Sequence, residues 1–336
     1  MAAPIWKDYI VDLGEPASVG GGVSFYIYSV SRAATIYEGV AYARPGETHA
    51  FARINDICAD YLAHYFMQER DAATPARATF EVYSYAAGSD EKVAEVTFFN
   101  DWSYDPYYDP DTDGMNFPVV LTFAPGQYIP LTIPDDNPGT YTVTCENGMT
   151  YTGTPVRYQA ADFNDDFNGD FLVNGVYYGD PYVINMADYP GAVSVEYGGR
   201  TWRRSDKCPR WVLYYVNSHG GWDALPVEGK SSRADGVKHY ETAQVYDNAI
   251  TTARGRRNYV NELTARYTFW TGWLNDQQSR LMHNLLNSPS VYVQDQEDRA
   301  IYPVVLTNGE TPYKENPGKM KAYEIRAELA QDRVRM

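Results

Sequence analysis

Cysteine is scarce in this chain: its 336 residues contain three cysteines, Cys58, Cys145 and Cys208, far apart and odd in number. Such a set does not form a disulfide framework, and no C-x-x-C pair indicates a zinc site. We therefore expect a protein that folds without oxidation, as proteins do in a cytoplasm.

Long apolar runs are missing too. No stretch approaches the roughly 18 apolar residues that indicate a membrane span, so no membrane insertion is expected. The start, MAAPIWKDYIVDLGEP, has no basic segment followed by an apolar run. It therefore does not predict a signal peptide.

Positive charge is rare in the first part of the chain. Residues 1–155 carry 7 basic and 21 acidic side chains, a net charge of −14 out of −16, which leaves −2 for the rest. A surface of this kind repels phosphate backbones, so we expect no nucleic-acid partner. Solubility alone is the simpler explanation of the acidity.

No catalytic motif is complete. Residues 224–231 fit a permissive P-loop pattern, but Pro226 lies inside it and no apolar helical stripe follows, so a plain β-turn is favoured. His219, Gly220 and Gly221 resemble an oxyanion-hole loop without the G-x-S-x-G segment that would supply its nucleophile. No pair of carboxylates is singled out for glycoside hydrolysis. The sequence therefore predicts that the chain is not an enzyme.

Aromatic residues, by contrast, are abundant: they make up 15 % of the chain, and 31 of them are tyrosines. Tyrosine favours half-buried strands and contact surfaces. Alternating segments punctuated by Gly, Pro and Asp follow the rhythm of a sandwich or barrel. We predict a mainly β fold with a minor α+β character, built from two β-sandwich or barrel-like domains that each pack one helix.

The predicted boundary lies in the polar, acidic stretch after residue 155. Residues 1–155 would form an acidic β domain with a helix at about 54–68. Its apolar residues share one stripe of the helix surface: Ile54, Ile57, Cys58, Tyr61, Leu62, Tyr65 and Phe66. Residues 156–336 would form a second β domain with a helix at about 273–287.

One acidic turn has the start of a calcium-loop pattern. Asp109, Asp111 and Asp113 alternate and are followed by Gly114, but Val120 stands where an EF-hand has its bidentate Glu. This makes calcium a candidate cofactor of a loop that is not an EF-hand. A solvated acidic turn without metal is the alternative. Residues 164–169 repeat the pattern more weakly.

Basic residues cluster twice in the nearly neutral second part. One interpretation is that these residues lie in ordinary solvated loops. The other is that they dock onto the acidic part of a neighbouring copy. Such a head-to-tail contact between copies can close into a ring. The candidate interface residues are Arg200, Arg203, Arg204, Lys207, Arg210, Arg254, Arg256 and Arg257.

Several segments resemble virion proteins of bacteriophages that infect Bacteroidetes. They are IWKDYIVDLG, IYEGVAYARPG, RINDICADYL, RWVLYYVNSHGGWDALPVEGKS and GWLNDQQSRLMHNLLNSPSVYV. The resemblance implies a tail-associated structural role, like that of distal tail, baseplate or collar proteins. It brings no active-site residues.

Together these features predict a viral structural protein: a homo-oligomeric ring in a phage tail, assembled in the bacterial host cytoplasm and connecting other virion proteins. The alternative is a carbohydrate-binding β-sandwich at a tail tip or cell surface, with a host surface glycan as partner. In that case Trp102, Tyr104, Tyr107 and Tyr108, beside the acidic turn, would stack on sugar rings.

Overall fold

The computed structural model describes most of the chain. The described residues are 2–18, 21–30, 33–62, 77–86, 89–105, 107, 121–131, 138–157, 182–243, 256–308, 320–330 and 333–335. The fold is mainly β and of the β-sandwich type: of the described residues, 57 % lie in strands and 7 % are helical, and they include two short helices. The predicted fold class is confirmed.

The first unit is a five-stranded sheet with strand order β1-β7-β6-β3-β4. Its elements are β1 (Ala2–Pro4), β2 (Ile10–Asp12), β3 (Gly22–Ser29), β4 (Ala34–Tyr42), β5 (Phe51–Arg53), α1 (Asn55–Ala59), β6 (Arg77–Ala86) and β7 (Ser89–Phe99). β1 runs parallel to β7, the other neighbours are antiparallel, and β2 pairs with β5 separately.

The core of this unit lies between the sheet and α1. Alternate residues of β3 point inward, because successive strand side chains face opposite sides, and Phe25 and Ile27 are buried. Of the predicted apolar stripe, Ile54, Cys58 and Leu62 are buried in the same cluster, and Ile57 and Tyr61 pack against it half-buried. Tyr65 and Phe66 lie outside the described residues. The described helix covers Asn55–Ala59, and the predicted continuation beyond residue 62 lies outside the described residues.

The second unit contains two small sheets, ordered β11-β10-β14-β15-β8 and β12-β13-β9. Its strands are β8 (Leu121–Phe123), β9 (Tyr128–Leu131), β10 (Tyr141–Cys145), β11 (Thr150–Gly153), β12 (Val156–Arg157), β13 (Tyr182–Asn185), β14 (Ala192–Tyr197) and β15 (Arg200–Arg204). A 3-10 turn, Met186–Asp188, follows β13.

These sheets cross the predicted boundary at residues 155 and 156. Val143 of β10 lies opposite Val195 of β14, and Ile129 of β9 lies opposite Ile184 of β13. A division at that point would separate paired strands, so the pairing joins residues 121–204 into one unit. The strands that pair here are distant in sequence. The alternation of apolar and polar residues within one strand does not show which strand it pairs with, so the sequence could not predict this unit.

The third unit is an eight-stranded sheet ordered β17-β16-β20-β21-β22-β19-β18, with β23 also on β19. Its elements are β16 (Trp211–Val216), β17 (Trp222–Val227), β18 (Ser231–Ala243), β19 (Arg256–Trp270), α2 (Asp276–Leu286), β20 (Val291–Asp295), β21 (Ile301–Leu306), β22 (Glu324–Leu329) and β23 (Arg333–Arg335).

At one end, this sheet is covered on both faces. Leu213 and Val293 pack with Leu285 of α2 on one face, and Tyr214 packs with Val183 of the second unit on the other. The strands at this end are nearly continuous apolar runs, as expected for strands without a solvent face.

The helix α2 begins three residues later than predicted. Leu274 forms an isolated bridge with Lys321, and the Asn275 side chain accepts a 2.8 Å hydrogen bond from the backbone N–H of Gln278. The Gln278 side chain in turn accepts from the backbone N–H of Asn275 at 3.2 Å. This reciprocal capping box fixes the start of the helix. The prediction began earlier because Trp273 and Leu274 also fit the helical spacing of apolar residues, although they precede the cap.

Candidate functional site

The most prominent surface feature is the long hairpin formed by β18 and β19. The two strands pair from Ser231 opposite Phe269 to Ala243 opposite Arg256. The neighbouring β22 covers β19 only from Arg266 to Trp270. In residues 236–243 and 256–264, no described side chain is buried. This half of the hairpin therefore extends away from the core.

The outer edge of the long hairpin is open. The sheet ends at β18, and none of the described strands pairs with its free side. All thirteen residues of β18 are exposed or half-exposed, and Val237 and Tyr259 present exposed apolar side chains. A long edge with unpaired backbone N–H and C=O groups is a template for another strand.

Side-chain contacts across the two strands stiffen the hairpin. The Tyr240 hydroxyl donates a 2.9 Å hydrogen bond to Glu262. The Lys238 ammonium lies 4.6 Å from the centre of the Tyr240 ring, and its interaction with this tyrosine raises the pKa of Lys238. The Tyr240–Glu262 pair joins the two strands, whereas Lys238 and Tyr240 are neighbours on β18. Cross-strand side-chain pairs stabilise a sheet that has no core beneath it.

A second open edge belongs to the first unit. Strand β4 ends that sheet, and Val40 and Tyr42 on it are exposed. The outer face beside it carries tyrosines among carboxylates: Tyr26 and Tyr83 stack at 4.8 Å, and the Tyr83 hydroxyl donates to Glu81 at 2.7 Å. That bond lowers the pKa of Glu81. Among the described strands, β4 is thus an open edge in the acidic part of the chain, and β18 is one in the nearly neutral part.

The structure pairs several of the predicted interface cations within the chain. Arg204 pairs with Glu146, and the Arg210 guanidinium contacts both Asp295 and Glu297 at 2.7 Å. Because both side chains already form ion pairs within the chain, neither Arg204 nor Arg210 offers an unpaired positive charge to a neighbouring copy.

The remaining candidate cations are divided between sheets. Lys207 lies 3.9 Å from Glu228, and Arg203 is exposed on β15. Arg200 begins β15, whereas Arg256 begins β19 at the far end of the long hairpin. The backbone of Arg257 pairs with β18, and Arg254 lies outside the described residues.

The candidate calcium residues Asp109, Asp111 and Asp113 lie outside the described residues, as do Tyr108 and residues 164–169. Within the described part of the chain, no group of three or more His, Cys, Asp or Glu side chains is placed to hold a metal ion. None of the described helices is long and apolar enough to cross a membrane.

A buried carboxylate at the junction of the units was not predicted. Asp101 is fully buried, accepts a 2.9 Å hydrogen bond from the Trp6 indole, and lies 3.0 Å from the His219 ring. These residues are far apart in sequence, so no local pattern reveals the cluster. The residues 218–221 form the turn that the oxyanion-loop pattern had singled out, and here they join two units.

The P-loop-like segment connects two strands. Residues 222–227 form β17 and β18 starts at Ser231, with the N–H of Gly229 donating to the carbonyl of Trp270 at 2.9 Å. A phosphate-binding loop leads into a helix. Residues 224–227 of the segment belong to strand β17 itself, and residues 228–230 are the short connection to β18, so the segment is not the plain β-turn that was predicted.

No model of a known protein family matches this chain, and no curated protein matches its sequence.

Proposed function

We propose that this chain is a non-enzymatic structural subunit of a bacteriophage tail, which assembles into a symmetric ring and connects other virion proteins. The main observation that supports assembly is the open edge of the long hairpin. The phage context comes from the resemblance of five sequence segments to phage virion proteins. Assembly would take place in the bacterial host cytoplasm.

The ring contact that we favour is heterologous. A ring closes when each copy offers one surface to its neighbour and accepts a different surface from the other neighbour. The β18 edge and the β4 edge are two such surfaces, and strand addition between them would form main-chain hydrogen bonds.

The charge distribution supports this pairing. The β4 edge belongs to residues 1–155, with a net charge of −14, whereas the long hairpin belongs to the rest, with −2. Arg256 at the end of the hairpin is exposed and lies 4.0 Å from Glu241 of the same hairpin. A nearly neutral surface does not repel an acidic edge as a second acidic surface would, so the charges favour this pairing over one between two β4 edges.

The proposal is tested by measuring the mass of the purified chain by light scattering, alone and with Val237→Glu. Val237 is the exposed apolar side chain of this edge strand, and a glutamate there would place a charge where a pairing strand would bury it. The wild type should therefore form a closed oligomer, and the variant should be a monomer that still unfolds in one cooperative transition. Val305→Glu is the matched control, because Val305 is similarly exposed, at 58 % against 50 %, on β21 of the same sheet.

A wild type that stays monomeric at every concentration would contradict the proposed assembly. So would a Val237→Glu variant that assembles as well as the control. Immunogold labelling of virions tests the location separately, because the proposal requires label on a tail ring.

A further inference from the structure

A cavity of about 770 Å³ lies where the first unit meets the third. Its wall combines the end of α1, the residues after β7, the end of β16 and the end of α2. Its polar lining includes Asp60, Ser218, Asn284, Asn287 and Ser290, with Trp102 beside them. The volume falls within the range of about 300–1,000 Å³ that is usual for ligand pockets.

Trp102 is held in place at two points. Its backbone N–H donates to the carbonyl of Ser218 at 2.6 Å, and its indole N–H donates to the Asn100 side chain at 2.6 Å. The Asn100 amide donates in turn to the carbonyl of Leu62 at 2.7 Å. Trp102 is nevertheless 46 % exposed. A fixed, half-exposed indole at a cavity wall is a preorganised stacking platform.

Two amides face the same cavity from the end of α2. Asn284 and Asn287 are three residues apart, and side chains with this spacing are neighbours on one helix face. Neither amide side chain forms a hydrogen bond to another described residue. Each can both donate and accept, which matches a hydroxyl group on a ligand.

The charge of the lining points to a neutral ligand. Asp60 is the one carboxylate among the described lining residues, and no lysine or arginine is among them. A phosphate or carboxylate ligand would find no lysine or arginine in this set. The set combines an indole, neutral amides, hydroxyls, the imidazole of His283 and a single carboxylate.

We propose that this cavity binds a neutral pyranose sugar, with the ring stacked on Trp102 and its hydroxyls bonded to Asn284, Asn287 and Asp60. This moves the carbohydrate site suggested by the sequence from the acidic turn to the junction of the units. The site is independent of ring assembly, because Trp102 lies outside the long hairpin and outside β4.

The test is calorimetric titration of the full chain with methyl α-mannopyranoside, methyl β-galactopyranoside, methyl β-glucopyranoside and free N-acetylglucosamine. At least one sugar should bind saturably, with a dissociation constant of about 1 mM or below. Stronger binding of a methyl glycoside would indicate a unit of a glycan, and stronger binding of the free sugar would indicate a soluble one. Either outcome supports the site.

Trp102→Ala should weaken the binding by about tenfold or more, since it removes the stacking surface. Asn284→Ala should also weaken it, and this half-exposed residue is not needed to hold the fold. Trp273→Ala is the matched control, because Trp273 is 62 % exposed and lies outside the cavity lining. Its affinity should equal that of the wild type.

The proposal is wrong if none of the four sugars binds the wild type saturably. It is equally wrong if Asn284→Ala and Trp102→Ala both bind as the wild type does, or if the Trp273→Ala control loses as much affinity as Trp102→Ala.

Discussion

The two ends of the eight-stranded sheet are both formed by antiparallel strands, but they differ in side-chain burial and in sequence. At one end, all six residues of β17 are buried, and its neighbour β16 is buried from Val212 to Val216. At the other end, no residue of the thirteen in β18 is buried. One end therefore stabilises the chain through apolar burial, whereas the other presents a surface that the fold itself does not require.

The sequence of each end explains the difference. The buried strands read WVLYYV and WDALPV, while β18 reads SSRADGVKHYETA and contains four charged residues. Ordering a strand costs conformational entropy, and a strand that covers no core offsets little of this cost by burying apolar surface in the monomer. A contact with a partner would supply the missing burial, which is the physical reason to assign the long hairpin to assembly.

The largest expected effect comes from an apolar truncation at the buried end. Leu213→Ala should lower the free energy of unfolding by about 2–5 kcal/mol, because Leu213 is fully buried and a cavity would remain. Val237→Ala in the long hairpin should change it by less than about 0.5 kcal/mol. Urea unfolding of both variants measures the contrast, and equal losses would remove the distinction between the two ends.

The turn between β16 and β17 gives the next effect. Gly220 has φ +82°, and a Cβ added there would collide with the carbonyl of Asn100. Gly220→Ala should therefore cost more than the about 1 kcal/mol expected for positive φ alone. Gly198→Ala isolates that smaller cost, since Gly198 has φ +54° and open space around it. Similar losses for both variants would show that the close approach does not matter.

A moderate effect is expected from the cap of α2, the helix that covers the buried end. Asn275→Ala removes the side chain that accepts the hydrogen bond from the Gln278 N–H, and it should destabilise the chain by about 1 kcal/mol. Asn284→Ala in the same helix, whose side chain has no hydrogen bond to a described residue, should cost much less. Thermal unfolding compares the two, and an Asn275→Ala variant as stable as Asn284→Ala would contradict the capping account.

The smallest effect concerns an exposed pair in the first unit. The His49 ring lies 2.8 Å from Asp12, whose hydrogen bond raises the pKa of His49 above 6.5. The pKa of Asp12 is lowered below 3.8 by hydrogen bonds from the Gly14 backbone N–H and from His49.

The pair should therefore stabilise the fold fully between pH 3.8 and 6.5. The histidine contribution is lost as the pH rises through the raised pKa, and the carboxylate contribution is lost as the pH falls through the lowered one. NMR titration should show a His49 pKa that returns toward 6.5 in Asp12→Asn. An unchanged pKa in that variant would rule out the coupling.

The sequence predicted local structure better than long-range pairing. The strands β3, β4, β6, β7 and β19 and the core stripe of α1 follow from side-chain periodicity, which each segment contains by itself. The ladders across residue 155 depend on residues far apart in the chain, and so does the bond between Asp101 and His219. A pattern within one short segment of sequence predicts neither these ladders nor the contact between Asp101 and His219.

The candidate site shows the same limit. The basic residues were visible in the sequence, but the partners of Arg204 and Arg210 were not, and those partners decide whether the charges face a neighbour. The open edge of β18 was equally hidden, because an edge is defined by the strand that is missing beside it. The amides of Asn284 and Asn287 became notable only once the cavity was known.

Hydrogen exchange of the β18 backbone amides, followed as the concentration of the chain rises, tests the central claim most directly. Unpaired edge amides exchange fast in a monomer and slowly once another strand pairs with them. We expect protection of the outward-facing amides of residues 231–243 to grow together with the mass of the oligomer, while β16, which is paired on both sides, stays protected throughout. An oligomer that forms while β18 continues to exchange at its monomer rate would show that the long hairpin is not the assembly surface.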